Sequence, residues 1–385
     1  MAARYLLLLL FAAACAVSKA EVDAPPPMWP PPPDPPRVQF LASYSGSKDI
    51  ESGPSALDRF LFGEEAEADR PIQRPIGVFV RDGVAYALDA QLMVIHRLDL
   101  TTRQLDAIVP SGRAAMQVPT DMHLGVDGLV YIADRGRRQV IVFDREWNLV
   151  RELGPWGDPK ACVPLAVALW KNRVLVADSA IRNVRVVDAT TGEQVDTLHT
   201  DPNSTESSLR APTGLAVDEH GYVYVVDAIY QRVIVFDEKF DFVRKIGESG
   251  DAPGSFGRPK AVAVDGPIVF VLDSLYENCQ MLSKNGHPLM FFGDGGVEPG
   301  DLYLPRGLWI GTEGLERFRD QLEPGFVAER LIAVTSFYGP RKLSFYALGR
   351  SEAPASKDRY AVYDLPGKTT PAGAESVPLP ASTNK

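Results

Sequence analysis

The chain has 385 residues, 45% of them hydrophobic, and its 40 basic and 50 acidic side chains give a formal net charge of −10. This length and apolar content exclude a wholly disordered chain and allow one large domain or two ordinary ones. The acidic balance argues against a nucleic-acid partner, and three cysteines exclude a disulfide-dense scaffold.

Residues 1–20 read as a signal peptide. Arg4 supplies the positive charge, and the 12 residues from Leu6 to Val17 form an unbroken apolar run. That run is too short for a bilayer span, which needs roughly 20 residues. Two processing sites compete. Ala12-Ala13-Ala14-Cys15 has the form of a bacterial lipoprotein box, with Ala12 where a larger aliphatic residue is usual; Cys15 would then be lipidated and anchor the chain to a membrane. Ser18-Lys19-Ala20 is a small-x-small site for an ordinary signal peptidase.

Residues 21–36 form a Pro-rich linker. From Pro25 to Pro36, nine of twelve residues are proline. Such a run lacks amide donors and favours an extended polyproline II rod. It reads first as a stiff spacer, and second as a recognition peptide with Trp29 as its anchor.

An internal repeat fills residues 37–349. Its segments begin at Pro75 (PIGVFVRDGVAYALD), Pro119 (PTDMHLGVDGLVYIAD), Pro164 (PLAVALWKNRVLVAD), Pro212 (PTGLAVDEHGYVYVVD) and Pro259 (PKAVAVDGPIVFVLD), and Pro305 (PRGLWIG) opens a sixth. The proline spacings are 44, 45, 48, 47 and 46. Each of the first five segments closes on an aspartate: Asp89, Asp134, Asp178, Asp227 and Asp273. Ten residues later stand Asp99, Asp144, Asp188, Asp237 and, as a departure, Ser283. Within the fourth segment four β-type runs are legible, at Gly214–Val217, Tyr222–Val226, Val233–Phe236 and Phe242–Ile246. Four strands in a repeat of this length make a propeller blade, which buries both faces only by packing radially against its neighbours. The sixth segment lacks a fourth strand, and charged sequence from Gly311 to Arg330 interrupts it. Arg37–Tyr44 alternates as a strand and can complete it. The expected fold is therefore an all-β six-bladed propeller whose last blade is closed by an N-terminal strand. Ser55–Leu61 has the spacing of a short helix. Residues 350–385 read as a disordered Pro/Ala/Ser tail, with Tyr360–Tyr363 a candidate strand.

In a propeller the turn before each first strand and the turn between second and third strands share one face. That face would gather Thr120, Thr213, Lys260 and Arg306, which follow the repeat prolines, with Arg137, Arg138, Tyr230 and Tyr276 from the post-aspartate loops. Arg and Tyr are enriched at binding hot spots. Asp121 and His123 alternate on the innermost strand of the second repeat and would point toward the central channel. The repeat aspartates are expected to be structural, accepting backbone amides in the turns they close. Five scattered histidines offer no short metal-ligand spacing. No Cys-x-x-Cys-His occurs, so no c-type haem attaches to this chain, and no cofactor is expected. Cys162 falls in a turn and Cys279 in a third strand, with no pairing indicated.

The run Ala211-Pro212-Thr213-Gly214-Leu215-Ala216-Val217-Asp218, then Gly221–Asp227 and Arg232–Asp237, together with Phe256-Gly257-Arg258-Pro259, resembles the NHL-repeat family of β-propellers. With the anchor and Pro-rich lead, the chain is similar to bacterial exported six-bladed NHL proteins, some of which are encoded beside multihaem cytochromes. The resemblance implies a propeller fold, a place in the cell envelope as a periplasmic or surface lipoprotein, and a connection to cytochrome-based electron transfer. The expected function is a non-enzymatic scaffold that binds an envelope protein or ligand. Related propellers include lyases and lactone hydrolases, so the alternative is an enzyme using the central channel.

Overall fold

The computed structural model describes residues 25–31, 33–50 and 70–351. The signal segment with Cys15, the Ser55–Leu61 helix and the Tyr360–Tyr363 strand lie outside the described residues.

Five antiparallel four-stranded sheets and one five-stranded sheet form the six blades. Blade 4 is typical, with strands Pro212–Val217, Val223–Asp227, Arg232–Phe236 and Phe242–Ile246. The period-2 alternation explains the arrangement. Along Val223–Asp227, Val223 and Val225 point into a core shared with blade 3. Tyr224 and Val226 point into a separate core shared with blade 5. Blade 6 repeats this, sending Leu331 and Ala333 toward blade 1 and Ile332 and Val334 toward blade 5. The described residues form six apolar clusters, one at each blade interface, so the ring is closed. Each Val, Ile or Phe withdrawn from water in these layers contributes roughly 1.5–3 kcal/mol.

The repeat aspartates hold the blades to their own entry turns. Asp227 accepts the amides of Arg210 at 2.9 Å and Ala211 at 3.0 Å, just before Pro212. Asp89, Asp134 and Asp273 likewise take two amides before their prolines, and Asp178 takes one, from Val163. All five are fully buried. Asp89 is held down at about 2: burial opposes ionisation, but the His96 ring and the amides of Leu92 and Gln73 outweigh it. A backbone bond reinforces each turn, the residue after the aspartate donating to the residue before the proline, as from Ala228 to Ala211 and from Ser274 to Arg258. In blade 6 two residues share the aspartate's role. Ser336 Oγ accepts from the Tyr303 amide at 3.2 Å, and Glu277 of blade 5 accepts from Leu304 at 2.9 Å. The second aspartate series caps outer hairpins: Asp188 accepts from Thr190 and Thr191, and Ser283 Oγ accepts from His287.

The closing blade is built from Pro305–Gly311, Phe326–Ser336, Leu343–Ser351, then Val38–Tyr44 from the opposite end of the chain. Two features differ from expectation. The Pro-rich segment does not run free as a spacer through residues 26–29: Met28–Trp29 forms a fifth strand, pairing Met28 with Gln39 and Trp29 with Val38. Trp29 is buried against the rings of Phe292 and Tyr346, so its side chain is part of the propeller's own core rather than an anchor for a partner. In the charged insertion, a 3-10 helix over Leu315–Gln321 buries Phe318 against Phe345. Cys162 and Cys279 are buried, unpaired thiols in different cores.

Candidate functional site

The first strand of every blade lines the central channel. A cavity of about 70 Å³ opens there between Thr120, Asp121, His123, Thr213, Lys260 and Arg306, over an apolar ring of Val78, Met122, Val167, Leu215, Val262 and Leu308. Six of the ten residues singled out in the sequence thus meet in one place.

The residue two positions after each proline is small in five blades: Gly77, Ala166, Gly214, Ala261 and Gly307. These positions face the neighbouring blade's first strand. A Cβ on Gly214 would lie 2.7 Å from the Lys260 carbonyl oxygen, and one on Gly307 would lie 2.9 Å from Ile76 O. Blade 2 carries Asp121 there, and its carboxylate accepts the Val167 amide of blade 3 at 2.9 Å. Beside it, the Thr120 hydroxyl lies 3.1 Å from the carbonyls of both Ala133 and Pro164, to which it can donate.

Burial pushes the Asp121 carboxyl up to about 6, against the pull of the Val167 and Met122 amides and the Arg306 charge. Burial likewise pushes His123 down to about 4, so its imidazole is neutral at pH 7. Lys260 is lowered to about 8, by burial first and then by the charges of Arg306 and Arg258. Burial also lowers Arg306, with Arg135 adding to it and Asp121 opposing.

Asp121 carries the first prediction. Its carboxyl is raised in the fold, so its contribution to stability is complete below about pH 4 and is lost as pH rises through about 6. Asp121→Asn keeps an acceptor for the Val167 amide and removes the charge. The variant should match the native protein at pH 4 and exceed it at pH 8 by about 1–3 kcal/mol, from roughly two pK units at 1.36 kcal/mol each. Urea denaturation at the two pH values measures the gap; a gap independent of pH contradicts the assignment.

The other four sequence candidates sit on the loops around the channel mouth, and their side chains are largely engaged within the protein. Arg137 donates to the carbonyls of Arg113 and Ala115 and pairs with Glu152. Arg138 donates to Pro159 O at 3.1 Å but stays exposed. Tyr230 lies beneath the guanidiniums of Arg232, at 4.6 Å, and Arg210. The Tyr276 hydroxyl donates to Gly250 O at 2.8 Å. Beside exposed arginines such as Arg135, Arg138 and Arg182, the mouth also leaves apolar side chains uncovered: Leu92, Val118, Ile229, Leu275, Tyr303 and Tyr338 are all exposed. Sequence reasoning missed this rim, although the hydrophobic residue two positions after Asp227 and Asp273 was there to find. Among the described residues, no three His, Cys, Asp or Glu side chains gather as a metal site.

No family model matches the sequence, and no curated protein matches it. Among solved structures, a Bacteroides thetaiotaomicron protein of unknown function superposes with a TM-score of 0.54 at 13% identity, over 81% of this chain and 75% of that one. A streptogramin B lyase gives 0.49 at 11% identity, over 72% of this chain and 94% of that one. The virginiamycin B lyase of Staphylococcus aureus gives 0.47 at 11% identity, over 72% and 95%. The likeness to the Bacteroides structure concerns the fold alone. The chain is a six-bladed β-propeller with a polar, cationic channel mouth.

Proposed function

We propose that this chain is an NHL-type propeller exported to the cell envelope, where it acts as a non-enzymatic scaffold that binds a protein partner through its channel-mouth face. The observation that carries this reading is an exposed apolar rim, including Ile229, Leu275 and Tyr338, around a cationic centre formed by Lys260 and Arg306. Apolar anchors around a charged centre are the anatomy of a docking face. The formal charge of −10 makes a positive centre an exception on this molecule and favours a partner that presents an acidic group. The signal-like N-terminus supports the envelope location, and the link to cytochrome-based electron transfer rests only on the resemblance to exported NHL proteins, some of which are encoded beside multihaem cytochromes.

The test is cross-linking and capture from the native envelope with the full chain. Ile229→Asp with Leu275→Asp should weaken capture of a specific partner at least tenfold, while Leu289→Asp on the outer strand Pro288–Phe292 leaves it unchanged. Equal loss in both, or no effect in either, rejects the face.

A second reading, a lyase or lactone hydrolase, draws on Asp121 and His123, two perturbed acid–base groups in one cavity. It requires a turnover that Asp121→Asn and His123→Asn abolish without loss of fold.

A further inference from the structure

The channel mouth contains an imbalance that the fold does not resolve. Lys260 and Arg306 project from the first strands of adjacent blades into one small cavity. Lys260 feels the like charges of Arg306 and Arg258 against Asp273, and Arg306 feels Asp121 against the like charge of Arg135. Among the described residues neither makes an ion pair or a side-chain hydrogen bond, and Arg306 rests instead over the Phe337 ring at 5.9 Å. Thr213, on the neighbouring first strand, also lines the cavity, and its hydroxyl oxygen is buried with no hydrogen-bond partner. Two half-buried cations without a protein acceptor, and a buried hydroxyl without a partner, are each unfavourable alone. One group that accepts hydrogen bonds and carries negative charge resolves all three.

We infer that the mouth of the central channel is a binding site for a single oxyanion group, a carboxylate or a phosphate, held by Arg306, Lys260 and the Thr213 hydroxyl. The inference rests on the reading of this face as the ligand-bearing one, and it concerns only the centre of that face. The cavity of about 70 Å³ sets the size. At about 10–15 Å³ of such volume per water it holds roughly five waters, which one oxyanion head group displaces. A nucleotide or a sugar chain needs several times more room. Arg306 presents a planar fork suited to two oxygens of one anion, and Lys260 adds a point charge. The remainder of the ligand would leave the channel toward the apolar rim.

The titratable groups facing this centre are Arg306, Lys260, Asp121 and His123, with Arg258, Asp273 and Arg135 felt from the adjoining turns. Asp121 is the one carboxylate among the cavity's lining residues. Its charge opposes an incoming anion and is lost as pH falls through about 6. Lys260 loses its charge as pH rises through about 8. Anion affinity is therefore expected to fall in two steps as pH rises.

The experiment uses the full chain, with sulfate and acetate as probes and chloride at matched ionic strength as the control. Melting temperature is followed as a function of anion concentration. A saturable rise is expected, stronger at pH 5.5 than at pH 7 and weakest at pH 9. Arg306→Gln or Lys260→Met should weaken the apparent affinity at least tenfold, and Thr213→Val by a few-fold. Sulfate above acetate points to phosphate-bearing ligands, and acetate above sulfate to carboxylates; either supports the site. No saturable rise with either anion overturns it, as does an equal response in the native protein and in both cation variants. Should Arg306→Gln fail to fold, Lys260→Met decides. The Ile229→Asp, Leu275→Asp variant separates the two readings: it should lose the partner and keep the anion response. Retained partner capture with no anion response removes this inference alone.

Discussion

Asp178→Ala is expected to destabilise the propeller by about 4 kcal/mol, one of the largest effects available to a single side chain here. Asp178 is fully buried and accepts the Val163 and Ala180 amides, each at 2.9 Å, and the Arg185 Nε at 2.7 Å. Arg185 is itself buried; its other partners are Gln194 Oε1 at 2.6 Å, Ala161 O at 3.2 Å and the Trp156 ring at 6.0 Å, and none carries charge. Removing the carboxylate leaves a buried guanidinium without its counter-ion, a change that typically costs about 3–5 kcal/mol. It also orphans two amides at about 1–3 kcal/mol each, partly relieved by water entering the turn. Two companion variants isolate the causes. Asp178→Asn keeps one acceptor oxygen for the two amides but loses the charge and sets an NH2 donor against Arg185 Nε, so it should lie between the native protein and the alanine variant. Asp178→Ala with Arg185→Met removes the orphaned cation and should recover about 2 kcal/mol. At the matching position of blade 4, seven residues beyond Asp227, stands Ile234 instead of a cation. Asp227→Ala should therefore cost less than Asp178→Ala. Equilibrium urea unfolding ranks the four; equal losses at Asp178 and Asp227 would mean that the ion pair contributes nothing beyond the amides.

The same aspartates explain why the fold was legible in the sequence. A contact that recurs in five blades, one carboxylate on the amides ahead of a proline, imprints one residue type at one spacing. With the six repeat prolines it defines the ring before any strand is placed. Legibility fails where a role is divided. In blade 6, Ser336 and Glu277 together replace the aspartate, and Glu277 belongs to another blade. No spacing rule links them. At the site, topology alone places Thr120, Asp121, His123, Thr213, Lys260 and Arg306 around one channel, because each lies within four residues of a repeat proline. Which cations are free is not legible. Arg137 and Lys260 look alike as sequence, yet Arg137 meets Glu152 from its own blade's outer strand, while Lys260 meets no acceptor among the described residues. That distinction depends on partners 15 or more residues away in sequence, and only the packed structure pairs them.

The Pro-rich segment is the hardest case, and its role in closing the ring carries the second large prediction. A two-residue strand has no period to detect, and the groove that receives Trp29 is built from the other end of the chain. Its indole packs against Phe292 at 6.2 Å and Tyr346 at 5.9 Å between ring centroids. Gly300 forms the opposite wall; it stands at φ +88°, and a Cβ there would lie 2.6 Å from the indole. The Phe40 amide bonds to Pro27 O at 2.9 Å, extending the pairing beyond the two-residue strand. Trp29→Ala should thus cost about 3–5 kcal/mol, as for other buried aromatic truncations. Gly300→Ala should act in the same direction, through both the clash and the strained backbone. The loss should also be local in its first expression. A propeller closed by strands from both ends is weakest where those ends meet, since every other blade is continuous in sequence. Hydrogen exchange in Trp29→Ala should therefore accelerate first in Val38–Tyr44 and its partner Leu343–Ser351, while the second strands of blades 2 to 4 keep their protection. Uniform acceleration would place the weak point elsewhere. A loss under 1 kcal/mol would return the segment to the spacer that its prolines alone suggest.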